Sequence, residues 1–350
     1  MFEEITKEFD GKKFRIEQFY HAIFRDLIDN TEEISTFSKD LRLKLRTKKL
    51  FKLKLHSLHE SKEKDTKKAI FESSEGYKIE SVLMRHQGRN TVCVSSQIGC
   101  PCACVFCATG KTGFKRNLDP QEIIEQVLFF NKELKKEYLI NNSNEKWNPK
   151  NPPSEFRVRN VVFMGMGEPL LNFDNVLKTV EILNDDKKFG IGQRKITIST
   201  VGIIPKIKEL AEKNMQLNLA VSLHSPLDEE RSKIAPINKK YPLKELIKSL
   251  INFTAKTDRR IFFEFTVIKD INDNKKTAHD LGELFKNWKL LHINFIPLNE
   301  NKESDLKKPS FDKIRKMQNI LMEKYGIVST VRREFGQDIQ GACGQLAGES

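Results

Sequence analysis

Five of the six cysteines fall within fifteen residues, Cys93, Cys100, Cys102, Cys104 and Cys107, and the sixth, Cys343, stands alone near the C-terminus. The run Cys100-Pro101-Cys102-Ala103-Cys104-Val105-Phe106-Cys107 contains Cys100-x3-Cys104-x2-Cys107. Three thiolates on one short loop can hold three irons of a [4Fe–4S] cluster and leave the fourth iron open to a ligand. A zinc site is the competing reading. It normally takes four ligands in two pairs, and no second CxxC or HxxxH completes one here. Cys102 breaks the simple count and is read as a bystander.

Cys93 and Cys343 lie outside that triplet. On composition alone, a cysteine among Gly341, Ala342 and Gly344 is an ordinary tolerated thiol. Gly165-Met166-Gly167-Glu168 follows an apolar stretch; its glycines would let the backbone approach a ligand, and Glu168 can accept hydrogen bonds from an ammonium group. An ordinary glycine turn with a solvated glutamate is the plainer alternative. Ser199, and Ser222-Leu223-His224, end two further apolar stretches.

The elements that must position these groups alternate. Strands are expected over Thr91–Ser95, Asn160–Met164, Lys195–Thr200, Leu217–Ser222, Ile261–Val267, His292–Ile296 and Ile327–Val331, and helices over Pro120–Leu139, Asn172–Asn184, Pro205–Asn214, Leu243–Thr254, Lys276–Phe285 and Phe311–Tyr325. Such alternation implies βαβ units and a mostly parallel sheet. With about six repeats and no GxGxxG after the first strand, the expected fold is α/β, a partial (β/α)6 barrel over residues 76–336, with its site at the C-terminal strand ends.

Residues 1–75 read as a small, basic, helical accessory domain. Phe14, Ile16, Phe19, Tyr20, Ile23, Phe24 and Leu27 recur at helical spacing, and Lys39 to Lys54 carries eight basic residues and one acid. That basic stretch is either one face of an amphipathic element or an RNA backbone contact. The polar stretch from Asn141 to Pro153 is expected to be a surface loop, and residues 337–350 a C-terminal segment. With 61 Lys+Arg against 48 Asp+Glu, the net charge of +13 favours a polyanionic partner. No leader pattern opens the chain, and no window approaches the ~20 apolar residues of a membrane span, so a cytoplasmic protein without membrane partners is expected. Reduced thiols in that compartment favour metal ligation or chemistry over a disulfide framework.

Beyond these separate readings, the spacing Cys100-x3-Cys104-x2-Cys107 resembles the radical S-adenosylmethionine (SAM) signature. The strings from Cys93 to Cys100, Phe106-Cys107-Ala108-Thr109-Gly110, Gly165 to Leu170, and Ala342 to Gly348 resemble the RlmN/Cfr family of RNA methyltransferases. The resemblance runs from about Glu80 to Gly348. It implies a [4Fe–4S] cluster on Cys100, Cys104 and Cys107, with SAM held by Gly167, Glu168, Ser199, Ser222, Leu223, His224 and Asn299, the last in a Leu298-Asn299-Glu300 loop that departs from the family's aromatic-Asn-Pro pattern. It also implies two SAM molecules per turnover: one methylates Cys343, and the other yields the 5′-deoxyadenosyl radical that removes hydrogen from that S-methyl group. The resulting carbon radical adds to adenine. Cys93 then resolves the protein–RNA thioether as a disulfide with Cys343, and Glu80 matches a proton acceptor.

Pro169 and Pro297 match the branch that methylates C2 rather than C8. The implied substrates are adenosine 2503 of 23S rRNA and adenosine 37 of some tRNAs, with flavodoxin or ferredoxin as electron donor and a monomeric state. C8 methylation of the same rRNA adenosine, and a non-enzymatic RNA-binding module with a structural metal, are the alternatives.

Overall fold

The computed structural model describes residues 2–86, 88–149, 151–300 and 304–347. Ten of its strands form one sheet, in the order β1 (Lys54–Glu60), β2 (Thr66–Glu72), β3 (Lys78–His86), β4 (Arg89–Cys93), β7 (Val158–Phe163), β8 (Ile196–Thr200), β9 (Asn218–Ser222), β10 (Ile261–Val267), β11 (Leu291–Pro297) and β12 (Ser329–Val331). The short strands β5 (Gln97–Ile98) and β6 (Arg116–Asn117) pair separately. From β4 onward every neighbour in the large sheet is parallel. β1 to β4 are antiparallel.

Six strand–helix repeats make up the parallel part. The helices are Pro120–Asn141, Phe173–Asn184, Ile204–Glu212, Leu243–Thr257, Lys275–Phe285 and Phe311–Tyr325. β12 is a seventh, short strand. The sheet does not close on itself among the described residues, since β1 and β12 are its ends, so the expected partial (β/α)6 barrel is what the chain forms. The strands read as near-continuous apolar runs because helices bury them; Phe263, Phe265, Ile293 and Phe295 are fully enclosed in the main core.

Strong local signals start these helices. Asp119 caps Pro120–Asn141 by accepting from the backbone amides of Gln121 and Glu122, and Glu122 reaches back to the Asp119 amide. Pro120 occupies the first turn, where its missing N–H is not needed. Gly326, at φ +64°, ends the helix Phe311–Tyr325 in the left-handed conformation that glycine adopts without strain.

Helix is not the state of the whole segment 1–75. Its helical pieces end at Leu45, and residues 54–72 form the antiparallel pair β1 and β2 at the edge of the sheet. β1 itself reads Lys54-Leu55-His56-Ser57-Leu58-His59-Glu60, with leucines three apart across a register shift between Leu55 and Ser57, so it lacks the period of two that marks a strand. Upstream, Phe2, Phe9, Phe19, Ile23 and Phe24 build a second hydrophobic cluster, which packs on Ile124 and Leu128 of the long helix. Phe14 departs from the expected stripe and is exposed. In the basic stretch, Leu45 is buried and Leu43 exposed, while Lys44 and Lys48 both pair with Glu8.

Alternation along β2 to β4 divides two environments. Ala69, Phe71, Ile79, Leu83 and Val92 enter the main core under the helices. The opposite face carries Lys68, Glu80, Val82 and Cys93, and Leu346 of the C-terminal segment packs on Val82 and Cys93.

Candidate active site

The strand β4 runs into the loop that carries the cysteine triplet. Gly99, at φ +71°, lets that loop turn where a Cβ would lie 1.6 Å from the Gly113 carbonyl oxygen. The loop is pinned by Val105 N–H donating to Ile234 O at 3.1 Å and by turns closing on Cys104 and Cys107. Cys100, Cys104 and Cys107 all face one cleft of about 950 Å³, including its open mouth. Cys102 is buried and faces the same cleft, so all four thiols of this loop line it. Among the described residues no three His, Cys, Asp or Glu side chains close on a single metal ion.

The far wall is the C-terminal edge of the parallel sheet. Gly167 and Glu168 after β7, Ser199 and Thr200 on β8, Ser222 and His224 at the end of β9, and Asn299 after β11 all line the cleft. Leu223 does not. Its side chain is enclosed in the main core, and its amide donates to Glu264 O at 2.9 Å. The two glycines also serve packing: a Cβ on Gly165 would meet Val94 O at 2.7 Å, and Gly167, at φ +98°, abuts the Gln97 side chain.

Glu168 is wholly buried, and burial pushes its carboxyl up to about 7. Two amides oppose that shift: Leu170 N donates to Oε1 at 2.9 Å and Val201 N to Oε2 at 2.8 Å. A carboxylate held by amide dipoles and without a cation suits the ammonium of an amino-acid ligand. His224 adopts φ +61°, and its Nδ1 accepts from Thr266 N at 3.1 Å. Burial lowers its pKa to about 3, so the ring is neutral, and its hydrogen bond places the proton on Nε2. That buried Nε2 meets no acceptor among the described residues, which fits a donor reserved for a ligand.

The C-terminal segment closes over this cleft. Cys343 and Gly344 line it; Gly344 O accepts from Ala108 N at 2.9 Å, beside Cys107. Asn299 Nδ2 donates to Cys343 O at 3.0 Å, so the amide expected to hold SAM also holds the C-terminal segment. A second, smaller cavity is bordered by Cys93, Val82 and Phe335, and Cys343 borders it too. Burial, with the Cys343 thiol nearby, pushes Cys93 up to about 12. All six cysteines are free thiols, and the disulfide expected between Cys93 and Cys343 is not formed.

Glu80 stands on β3, on the face of the sheet that carries Cys93. It lines neither cavity; it is buried, stands 3.3 Å from Lys68 Nζ, and accepts from Ala347 N at 3.2 Å. Gly348, the last residue of the C-terminal motif, is outside the described residues.

Several residues of the site were not anticipated. Arg332 lines both cavities and lies 3.7 Å from Glu264. The Cys343 thiol beside it, with Glu264, holds its proton more firmly despite burial. Arg231 is fully buried and donates to Leu223 O, Asn238 Oδ1, Val201 O and Ser222 O, tying together the chain that leaves β8 and β9. A signal did exist for Glu264, because a charge inside an apolar strand has to answer to something.

An open parallel (β/α)6 sheet with a cysteine triplet facing a cleft at its C-terminal edge defines a radical SAM enzyme, and a model described as the Radical SAM superfamily matches residues 154–281. A radical SAM methyltransferase from Sphaerobacter thermophilus has the same fold, with a TM-score of 0.87 at 36% identity, covering 96% of this chain and 93% of that one. Relatives from Dictyoglomus turgidum (41% identical over 95% of this chain and 90% of theirs) and Thermotoga sp. (40% over 99% and 95%) carry the name "Probable dual-specificity RNA methyltransferase RlmN". The chain belongs to the RlmN family of radical SAM RNA methyltransferases. No helix among the described residues is long and apolar enough to cross a membrane.

Proposed function

We propose that this enzyme methylates C2 of an adenine in structured RNA, adenosine 2503 of 23S rRNA and adenosine 37 of some tRNAs, through a methyl group carried on Cys343. The observation that carries this reading is the placement of Cys343, which borders both the cleft of the cysteine triplet and the cavity of Cys93. A carrier thiol has to face the methyl donor on one side and the resolving thiol on the other.

In this reading Cys100, Cys104 and Cys107 hold a [4Fe–4S] cluster, and SAM is bound by Gly167, Glu168, Ser199, Ser222, Leu223, His224 and Asn299. When bound, the cluster and SAM supply one-electron cleavage to a 5′-deoxyadenosyl radical, with flavodoxin or ferredoxin as the electron source. That chemistry suits C2 of adenine, an electrophilic amidine carbon that no ordinary nucleophilic attack on SAM can methylate. Glu168 accepts the ammonium of SAM, and His224 donates from Nε2. Leu223 contributes through its main chain. Cys343 accepts a methyl group from one SAM and presents it, and a second SAM is consumed in each turnover.

The Cys93 sulfur bonds to the Cys343 sulfur as the Cys343 S–C bond to the RNA adduct breaks; the carbon takes up a proton to complete the methyl group, the one electron left over would return to the oxidised cluster, and the Cys93–Cys343 disulfide is afterwards reduced. Cys93 or Glu80 accepts the ring proton, and Glu80 also accepts from Ala347 N of the C-terminal segment. Residues 76–336 form the catalytic unit, and 337–350 the carrier segment. The basic N-terminal residues contact RNA, and the enzyme works as a cytoplasmic monomer. Binding dominated by phosphate contacts weakens steeply with salt.

The test is anaerobic reconstitution with iron and sulfide, then incubation with methyl-labelled SAM, reductant and unmodified 23S rRNA, with nucleosides read by mass spectrometry. Label in 2-methyladenosine for wild type, and none for Cys343→Ala, is the expected result. Label in 8-methyladenosine would move the chain to the other branch, and no modified base would overturn the reading.

A further inference from the structure

Lys68 and Glu80 are diagonal neighbours on one face of the sheet, because Lys68 pairs with Val82 and Ile70 with Glu80 across β2 and β3. Both side chains are nearly enclosed, at 4% and 1% exposure, and Nζ stands 3.3 Å from Glu80 Oε2. A buried ion pair is weak support for stability, since an apolar pair of similar size would serve the fold as well. What distinguishes this one is where its remaining bonds go. Lys68 Nζ donates to Gln340 O at 3.5 Å, and Glu80 Oε1 accepts from Ala347 N at 3.2 Å. Gln340 and Ala347 flank Cys343 on its two sides.

We propose that the Lys68–Glu80 pair is a clamp that sets the position of Cys343, and that Lys68 is a positioning residue of this enzyme. The proposal deepens the reading of Cys343 as methyl carrier and rests on it. The segment has other holds, from Ala108 beside the cysteine loop and from Asn299 after β11. Those act at Gly344 and Cys343, and further bonds join Gln337 to Asn299, Gln345 to Glu300 O and Thr109 to Leu346 O. The ion pair grips both flanks from β2 and β3, the second of which pairs with the strand of Cys93, and so fixes the carrier thiol relative to the thiol that resolves it. Lys68 has two tasks: it stands against Glu80 Oε2, and its ammonium bonds the preceding flank.

The experiment uses the reconstituted, full-length enzyme and two readouts that need no RNA: hydrogen exchange of the peptide containing Ala347, and the rate of Cys343 alkylation by iodoacetamide followed by mass spectrometry. In wild type the Ala347 amide is expected to be protected. In Lys68→Met, exchange there and alkylation of Cys343 should both rise about tenfold, the effect of losing one charge-assisted bond. Lys68→Arg should restore most of the protection. The double variant Lys68→Met with Glu80→Gln, which leaves no unpaired charge and carries the test if the single variant does not fold, should match Lys68→Met. Wild-type rates in either Met variant, or an unprotected Ala347 amide in wild type, would overturn the clamp. Failure of the wild type to methylate RNA, with these rates behaving as expected, would instead overturn the functional reading.

Discussion

Asn299 joins the end of the parallel sheet to the C-terminal segment: its Nδ2 donates to Cys343 O at 3.0 Å, and its Oδ1 accepts from Gln337 Nε2 at 2.7 Å. One side chain therefore spans the interface between the strand ends and the segment of Cys343. Asn299→Ala should lower methyl transfer about tenfold and speed Cys343 alkylation, the scale of one lost hydrogen bond within a cooperating group. Asn299→Asp should be worse, since a carboxylate would face the Cys343 carbonyl oxygen. Comparison of SAM affinity with alkylation rate in the same variants checks the assignment; a change confined to SAM affinity would assign Asn299 to the cofactor alone.

His224 offers a ligand a neutral donor. Its ring packs edge-on against Phe106 with centroids 4.7 Å apart, so His224→Phe should keep the apolar contact while removing the Nε2–H and the acceptor for Thr266 N. SAM affinity should fall about tenfold or more. The wild-type affinity should show no inflection from this ring between pH 5 and 8, because its pKa is near 3. Calorimetric titration of SAM into the reconstituted protein measures both.

Glu125 sets a pH dependence remote from the site. It accepts from the amides of Lys52 and Leu53 and from Gln121 Nε2, yet burial, reinforced by Asp119, raises its pKa from 4.5 to about 7. The folded state thus binds a proton that the unfolded chain has released between these values, so this group's contribution to stability is fully present below about pH 4.5 and declines as pH rises to about 7. A change of a few kcal/mol across that window is expected in order of magnitude. Glu125→Gln should flatten this part of the stability profile in chemical denaturation at pH 5 and pH 7.5. An unchanged slope would mean that the carboxylate is already ionised at pH 5.

Arg231 is the strongest candidate for a purely structural loss. Its guanidinium satisfies carbonyl oxygens of Val201, Ser222 and Leu223 from the interior, and desolvation lowers its pKa to about 10. Arg231→Met should destabilise the fold by about 3 kcal/mol through those stranded acceptors. It should also weaken SAM binding, because Ser222 and His224 depend on the same turn. Thermal unfolding with and without SAM separates the two effects.

Local pattern made much of this protein readable. The strand over 261–267 and the helix over 311–325 match the periodicity residue for residue, and the six strand–helix repeats follow from apolar runs alternating with amphipathic stretches. The cysteine spacing depends on a few neighbouring residues, so it too was visible. The hairpin over 54–72 was not, because its strands carry no period of two: Leu55 and Leu58 are three apart, and Ala69, Ile70 and Phe71 are consecutive.

What the sequence by itself determined is the set of local states: which stretches are strand or helix, and which thiols share a loop. Only the tertiary structure decided which distant groups meet. Cys343 reaches the cavity of Cys93, Arg332 lines the cavities on both sides, and Glu80 stands against Lys68 of the neighbouring strand and accepts from Ala347 N. The physical reason is that hydrogen-bond ladders and side-chain periodicity are set by neighbours in the chain, whereas these encounters depend on how the sheet curves and where the last residues fold back across it.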